Sequence, residues 1–276
     1  MDEMLKRLHL ANARRVWRDL VKVAEKERWT YDAFFARLIS EEIAHRKGTR
    51  LKRLSSRAHF PFLKTIDEFD FTFQSTVRLE LLGSCLSPDF VTEGNSLILF
   101  GKTGRGKTHL AISIAYRAIQ NGFDSIFTTA AELIDDLSSA SREGRMRDAV
   151  AFYTRPDVLV CDEVGYLTYG TDAANVLFHI VNARYLKKRS MIFTTNKAPK
   201  TWGRVLHDED LGAAIVDRIL HRGRLLTLDG PSVRTKHHTL DEALVEHQEE
   251  VATFSGIPGA DFPEPAAGSW GHPFAA

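Results

Sequence analysis

The chain has 276 residues, 43% of them hydrophobic and 26% charged, and a formal net charge of +1. That length and balance fit a soluble globular protein with one core of ordinary size plus appendages. No apolar run approaches the roughly 20 residues that a membrane-spanning helix needs, and the start, "MDEMLKRLHL", is charged from residue 2 and lacks the apolar core of a signal peptide. The two cysteines, Cys85 and Cys161, lie far apart in sequence. They are expected to be reduced thiols, which points to the cytoplasm. Charge is uneven along the chain. Residues 1–59 hold 15 Lys/Arg against 8 Asp/Glu, and residues 241–276 hold 7 Asp/Glu and no Lys/Arg. A basic head is a pointer to nucleic acid or another acidic partner, and equally to a solvated helix face.

The head reads as helical. Leu5, Leu8, Val16, Trp17, Leu20, Val21 and Ala24 recur near helical spacing. A further helix is expected from "WTYDAFF", with Thr30 as N-cap, Asp32 in the positive first turn, and Trp29 stapled onto Phe34. Its apolar stripe runs through Leu38, Ile39 and Ile43 into the basic stretch "AHRKGTRLKRLSSRAHF". Pro61 and "IDEFDF" suggest a boundary near residue 60, followed by a linker and adenine-side region over 61–95.

From residue 96 the pattern alternates. Short β-rich runs at 96–100, 125–129, 157–161, 190–195 and 224–228 are separated by helical stretches at 107–120, 130–142, 172–187 and 208–222. Continuous apolar strands separated by helices predict an α/β fold, a parallel sheet covered on both faces. The tail from 241 is acidic, then rich in Pro, Gly and Ala, and is expected to be disordered.

"GKTGRGKTHL" (101–110) carries the chemistry. Gly101, Gly106, Lys107 and Thr108 match the phosphate-loop pattern G-x-x-x-x-G-K-[ST], entered from an apolar strand and left by a helix. Glycines let backbone N–H groups turn inward around an anion. Lys107 supplies charge for the β- and γ-phosphates, and Thr108 supplies a hydroxyl for Mg²⁺. ATP is therefore expected across residues 101–109, with Lys102, Thr103, Gly104, Arg105 and His109 completing the loop. In "VLVCDEVGYL" four apolar residues lead to Asp162 and Glu163. Asp162 suits the metal, and Glu163 suits orientation of an attacking water, which favours hydrolysis over phosphoryl transfer. "FTTN" ends the next strand, and Asn196 is placed to face the γ-phosphate.

In sequence order these are "RLKRL…HFPFLKTIDEFDF", "GKTGRGKTHLA", "DEVGYL", "TTN" and "AAIVDRILHRG". Over roughly residues 5–240 the chain resembles the IstB family of insertion-sequence ATPases, and it is also similar to DnaC-type helicase loaders. Both are AAA+ ATPases of the initiator clade. The resemblance implies a P-loop AAA+ core over 96–240 without a full lid, behind a helical, basic N-terminal domain. It implies an ATP-controlled homo-oligomer on double-stranded DNA that assists a partner transposase, or, for a loader, a replicative helicase. It also implies an arginine finger at Arg218, with Arg222 and Arg224 as fallbacks. Lys102, Thr103 and Arg105 stand where such loops carry Pro and a small residue, and Thr168 stands where Pro usually follows "GYL". The loop spacing is intact, so nucleotide binding is expected to survive.

Two basic clusters are candidates for phosphate contact. Arg142, Arg145 and Arg147 lie at an expected helix–helix junction, and the resemblance implies that this region lines an oligomer's channel. Arg50, Lys52 and Arg53 belong to the head run of Arg46, Lys47, Arg50, Lys52, Arg53 and Arg57. No base-reading motif accompanies either, so binding is expected to be indifferent to sequence. His237 and His238 have no second ligand set and are not read as a metal pair.

Overall fold

A computed structural model describes residues 1–232 apart from Phe73, Ser75, Leu167 and Thr168. The acidic tail, the question of a lid, and His237 and His238 lie outside the described residues.

The head is a helical hairpin with a short helix in front. α1 spans Asp2–Arg7, α2 Ala11–Glu27 and α3 Tyr31–Arg57. The chain breaks between α1 and α2 at His9, and between α2 and α3 at Arg28, both in left-handed backbone. Thr30 caps α3 as expected, its hydroxyl accepting from the Ala33 N–H at 3.2 Å. Leu5, Ala13 and Leu38 are the buried apolar contacts, with Trp17, Leu20 and Phe34 packed around them. That core is small, and a buried acid reinforces it. Glu42 of α3 accepts from the backbone N–H groups of Asn12 and Ala13, each at 2.8 Å, which caps the start of α2 from outside.

α3 reaches from the head to the sheet. Leu54 and Ala58 pack on Ile119, the Ala58 carbonyl accepts from Phe127 N–H at 2.8 Å, and Arg50 donates to the Gly122 carbonyl at 2.6 Å. The stretch after it is woven into the core. A 3-10 turn at Ile66–Glu68 and two short helices, α4 (Leu79–Leu86) and α5 (Asp89–Thr92), deliver Ile66, Phe69, Val77, Leu82 and Phe90 to the apolar cluster under the sheet.

The sheet has five parallel strands: β1 Ser96–Gly101, β2 Ser125–Thr129, β3 Val158–Val164, β4 Ser190–Thr195 and β5 Gly223–Leu228. Their order is β2-β3-β4-β1-β5. α6 (Lys107–Gln120) and α4 share one apolar cluster with the sheet. α7 (Ala130–Arg142), α9 (Ala173–Leu186) and α11 (Glu209–His221) share the other. This is the covered parallel sheet that the alternating runs predict. Two short helices lack a periodic run long enough to be read from sequence: α8 (Met146–Thr154) and α10 (Trp202–Leu206). The order brings the carboxyl ends of β1, β4 and β3 side by side, with β4 in the middle. In such sheets that edge is where ligands bind.

Candidate active site

The phosphate loop joins β1 to α6. Gly106 has φ +83, a left-handed conformation open to glycine, and a Cβ there would lie 2.9 Å from Phe69 Cε2. The aromatic ring of the "IDEFDF" segment thus forms one wall of the loop. His109, one turn into α6, meets the same ring edge-on at 5.3 Å, and its Nε2 lies 3.1 Å from the Thr65 carbonyl. Burial lowers the pKa of His109 and favours the neutral ring. Lys107 is buried at the loop's exit, and its ammonium donates to the Lys102 carbonyl at 2.9 Å across the concavity. The N-terminus of α6 adds a positive dipole end at the same place. Lys102 and Thr103 are exposed; Thr103 shares a hydrogen bond with the hydroxyl of Tyr166. Arg105 is half-buried, and its Nε has no hydrogen-bond partner among the described residues.

The acids sit across from the loop. Thr108 Oγ1 donates towards both Asp162 oxygens at 3.0 Å, and Thr194 of β4 donates to Oδ1. Burial raises the pKa of Asp162; the hydroxyls of Thr194 and Thr108 and the charge of Lys107 pull the other way without cancelling it. β3 runs on through both acids, beyond its expected end at Cys161, and carries a bulge there. Cys161 pairs with Phe193 and Val164 with Thr195, so β3 spends one residue more than β4 over this step. Glu163 takes up the extra residue in left-handed backbone, φ +61, rare for a residue with a side chain. Its N–H is held by Thr194 Oγ1 at 3.0 Å, and its carbonyl accepts from the Tyr169 hydroxyl at 3.3 Å. The same hydroxyl accepts from Gly165 N–H at 3.0 Å. An undistorted strand would send adjacent side chains to opposite faces. Here Asp162 is buried and Glu163 is exposed at the sheet's ligand edge.

Asn196 follows β4 directly, and its Oδ1 is buried without a hydrogen-bond partner among the described residues. A buried acceptor left open is costly unless something outside the chain fills it. Glycine loop, lysine, threonine, two acids and asparagine therefore converge on one edge. Thr194, Tyr169 and Phe69 complete the site and were not read as site residues. Only the adjacency of β3 and β4 gives a strand-interior threonine such as Thr194 a role.

Arg218 lies on α11, with its partners on α9 and on its own helix. Nε donates to Asn182 Oδ1 at 3.0 Å, Nη1 to the Ala214 carbonyl at 3.2 Å, and the guanidinium lies 4.6 Å above Phe178. Arg222 stacks on Tyr185, and Arg224 donates to Ser84 at 3.0 Å. Arg142, Arg145 and Arg147 do flank the α7–α8 turn, where Arg142 donates to Ser139 and Arg145 is paired with Glu143. On α3, Lys52 and Arg53 are exposed, and Arg53 lines a shallow groove of about 530 Å³ with His9, His45, Arg46 and Arg50.

Residues 3–241 match the family model described as "IstB-like ATP binding protein". The chain belongs to the IstB-like ATP-binding family. It is 34% identical, over 88% of its length and 96% of theirs, to a protein of Geobacillus stearothermophilus named for ATP binding in insertion sequence IS5376. It is 32% identical, over 86% and 89%, to the corresponding IS21 protein of Pseudomonas aeruginosa. Among solved structures it is similar in fold to DnaA from Aquifex aeolicus bound to AMPPCP (21% identity, TM-score 0.53, 71% of this chain and 60% of that one). It is likewise similar to DnaI (21%, TM-score 0.51, 60% and 90%). The IstB-like core thus shares its fold with these proteins, a five-stranded parallel sheet behind a helical N-terminal region. Among the described residues no helix is long and apolar enough to cross a membrane.

Proposed function

We propose that this IstB-like protein is a Mg²⁺-dependent ATPase that assembles as a homo-oligomer on double-stranded DNA and serves a partner transposase, in the cytoplasm. The observation that carries the catalytic part is the Thr108–Asp162–Thr194 arrangement, with Glu163 exposed at the bulge beside it. A hydroxyl and a carboxylate are the hard oxygen donors that Mg²⁺ takes, so Thr108 and Asp162 fit the ion. When bound, the ion neutralises charge on the β- and γ-phosphate oxygens. Lys107 and the loop N–H groups bind the phosphates. Glu163 orients the attacking water and takes its proton, and Asn196 offers its open polar end to the γ-phosphate or that water. Arg218 acts as the finger on a neighbouring subunit's nucleotide.

The client is read from the relatives, which are named for the insertion sequences they belong to. DNA is read from the exposed arginines of the α7–α8 turn and of α3.

Glu163→Gln tests the core of this reading. It keeps the bulge and the loop but lacks a base, so ATP should bind as in the parent and turnover should fall at least 100-fold. The readouts are nucleotide titration and phosphate release. Parental turnover would remove Glu163 from the site.

A further inference from the structure

Arg218 is held by neutral groups alone among the described residues. Asp217 is its neighbour in sequence. Yet every partner of Arg218 is neutral: the Asn182 amide at Nε, the Ala214 carbonyl at Nη1, and the ring of Phe178 against the guanidinium face. Nη2 has no partner among the described residues. The side chain is half-buried, and α11 and α9 pack along one another. Nε, Nη1 and one face of the guanidinium are therefore held, Nη2 stays free of partners, and no carboxylate among the described residues pairs with the charge. A guanidinium poised for an external anion needs that combination, because positioning is then complete before the anion arrives and no ion pair has to be broken.

We infer that Asn182 and Phe178 of α9 are positioning residues for Arg218, holding it ready for the terminal phosphate of a nucleotide bound by a second copy of this chain. The inference rests on the proposed finger role of Arg218 and adds what makes the finger work. It also gives α9 a task beyond covering the sheet. α9 follows the "DEVGYL" segment, so the helix that starts just after one subunit's acids carries the supports of the arginine offered to the next.

The experiment compares steady-state ATP turnover, ATP affinity and thermal unfolding in six full-length variants: Arg218→Ala, Asn182→Ala, Phe178→Leu, Phe178→Tyr, and Asn182→Ala and Phe178→Leu each combined with Arg218→Ala. Asn182→Ala should lower kcat about tenfold, the effect of losing one hydrogen bond to a charged group, with KM and ATP affinity within about twofold of the parent. Phe178→Leu should lower kcat severalfold, and Phe178→Tyr, which keeps the ring face, should restore it. In the Arg218→Ala background neither further substitution should lower kcat any more, because the group they hold is gone. A merely structural role would add its loss in that background and would not separate leucine from tyrosine. Two results overturn the inference while leaving the finger in place: parental kcat in Asn182→Ala beside a defective Arg218→Ala, or additive losses in the double variants. Full turnover in Arg218→Ala would instead remove the finger, and the inference with it. Should Asn182→Ala unfold early, the Phe178 pair decides alone.

Discussion

Arg184 shows what a single residue can do out of sight of the sequence. It is fully buried on α9 and donates to four backbone carbonyls, those of Tyr153, Pro156, Asp157 and Ser190, at 2.7–3.0 Å. These carbonyls belong to the end of α8 and to the entries of β3 and β4, where chain ends would otherwise leave acceptors unpaired. Burial drags its pKa down to about 9, and no carboxylate offsets that among the described residues. Arg184→Met keeps the length and removes every donor. It should cost about 4 kcal/mol, read as a fall in Tm of about 10 °C. A Tm within about 2 °C of the parent would show that the carbonyls find other partners. The phosphate loop was legible because its chemistry lies in eight consecutive residues whose backbone geometry the glycines dictate. Arg184, Thr194 and Tyr169 were not, because each acts on groups that only folding brings near: Thr194 meets Asp162 across a strand pair, 32 residues away. The bulge at Glu163 was equally hidden. An acid after an acid at a strand end is visible in sequence, but the extra residue on β3 is a property of its register with β4.

At the scale of elements, the join between α2 and α3 depends on Glu42. Burial pushes its pKa up, but the N–H of Ala13, the Arg46 guanidinium and the N–H of Asn12 outweigh that and hold it below the ordinary glutamate value. A carboxyl whose pKa is depressed on folding contributes stability above its unfolded pKa, and that contribution disappears as pH falls through the folded value. The helical head should therefore loosen in the acid range, below about pH 4, before burial of the sheet is lost. Glu42→Ala should reproduce the loosening at neutral pH, at a cost of about 3 kcal/mol, since two N–H groups and Arg46 lose their acceptor together. Amide exchange over 11–27 reports it; unchanged protection there would mean that the apolar contacts alone hold α2. The α7–α8 turn makes a different prediction. Arg145 must give up Glu143 to reach a phosphate, whereas Arg147 has no partner among the described residues. Arg145→Glu with Arg147→Glu should weaken binding to every DNA sequence and shrink the slope of log K against log salt by about two, with ATP binding intact. An unchanged slope would move the contact to the groove beside Arg50 and Arg53. The helices and strands around these sites were readable from apolar period. α8 was not, because nine residues between two turns carry too little periodic signal.

For the whole molecule, the strand order decides how the parts can act. Sequence gives five strands and four crossovers; it does not say that β4 lies between β1 and β3, and that order is what sets Asn196 beside both the loop and the acids. Arg218 sits apart from that cluster, bonded to α9 and its own helix rather than to any residue of 101–108. If its work is on a nucleotide, the nucleotide belongs to another copy, and catalysis becomes a property of the assembly. Lys107→Ala removes the loop's charge and should leave a subunit that cannot bind ATP but still offers its arginine. Arg218→Ala should bind ATP and hydrolyse it poorly. Each alone should be nearly inactive. Mixed, an intact ATP site meets an intact arginine across a fraction of the interfaces. About a quarter of the parental turnover is expected at equal amounts if subunits assort at random and each productive interface works alone, on the order of the fraction at which both partners are suitable. The parent's specific activity should also rise with protein concentration, since dilution separates site from finger. Turnover in the mixture no greater than the sum of its two parts, together with concentration-independent activity in the parent, would show that each subunit completes its own site.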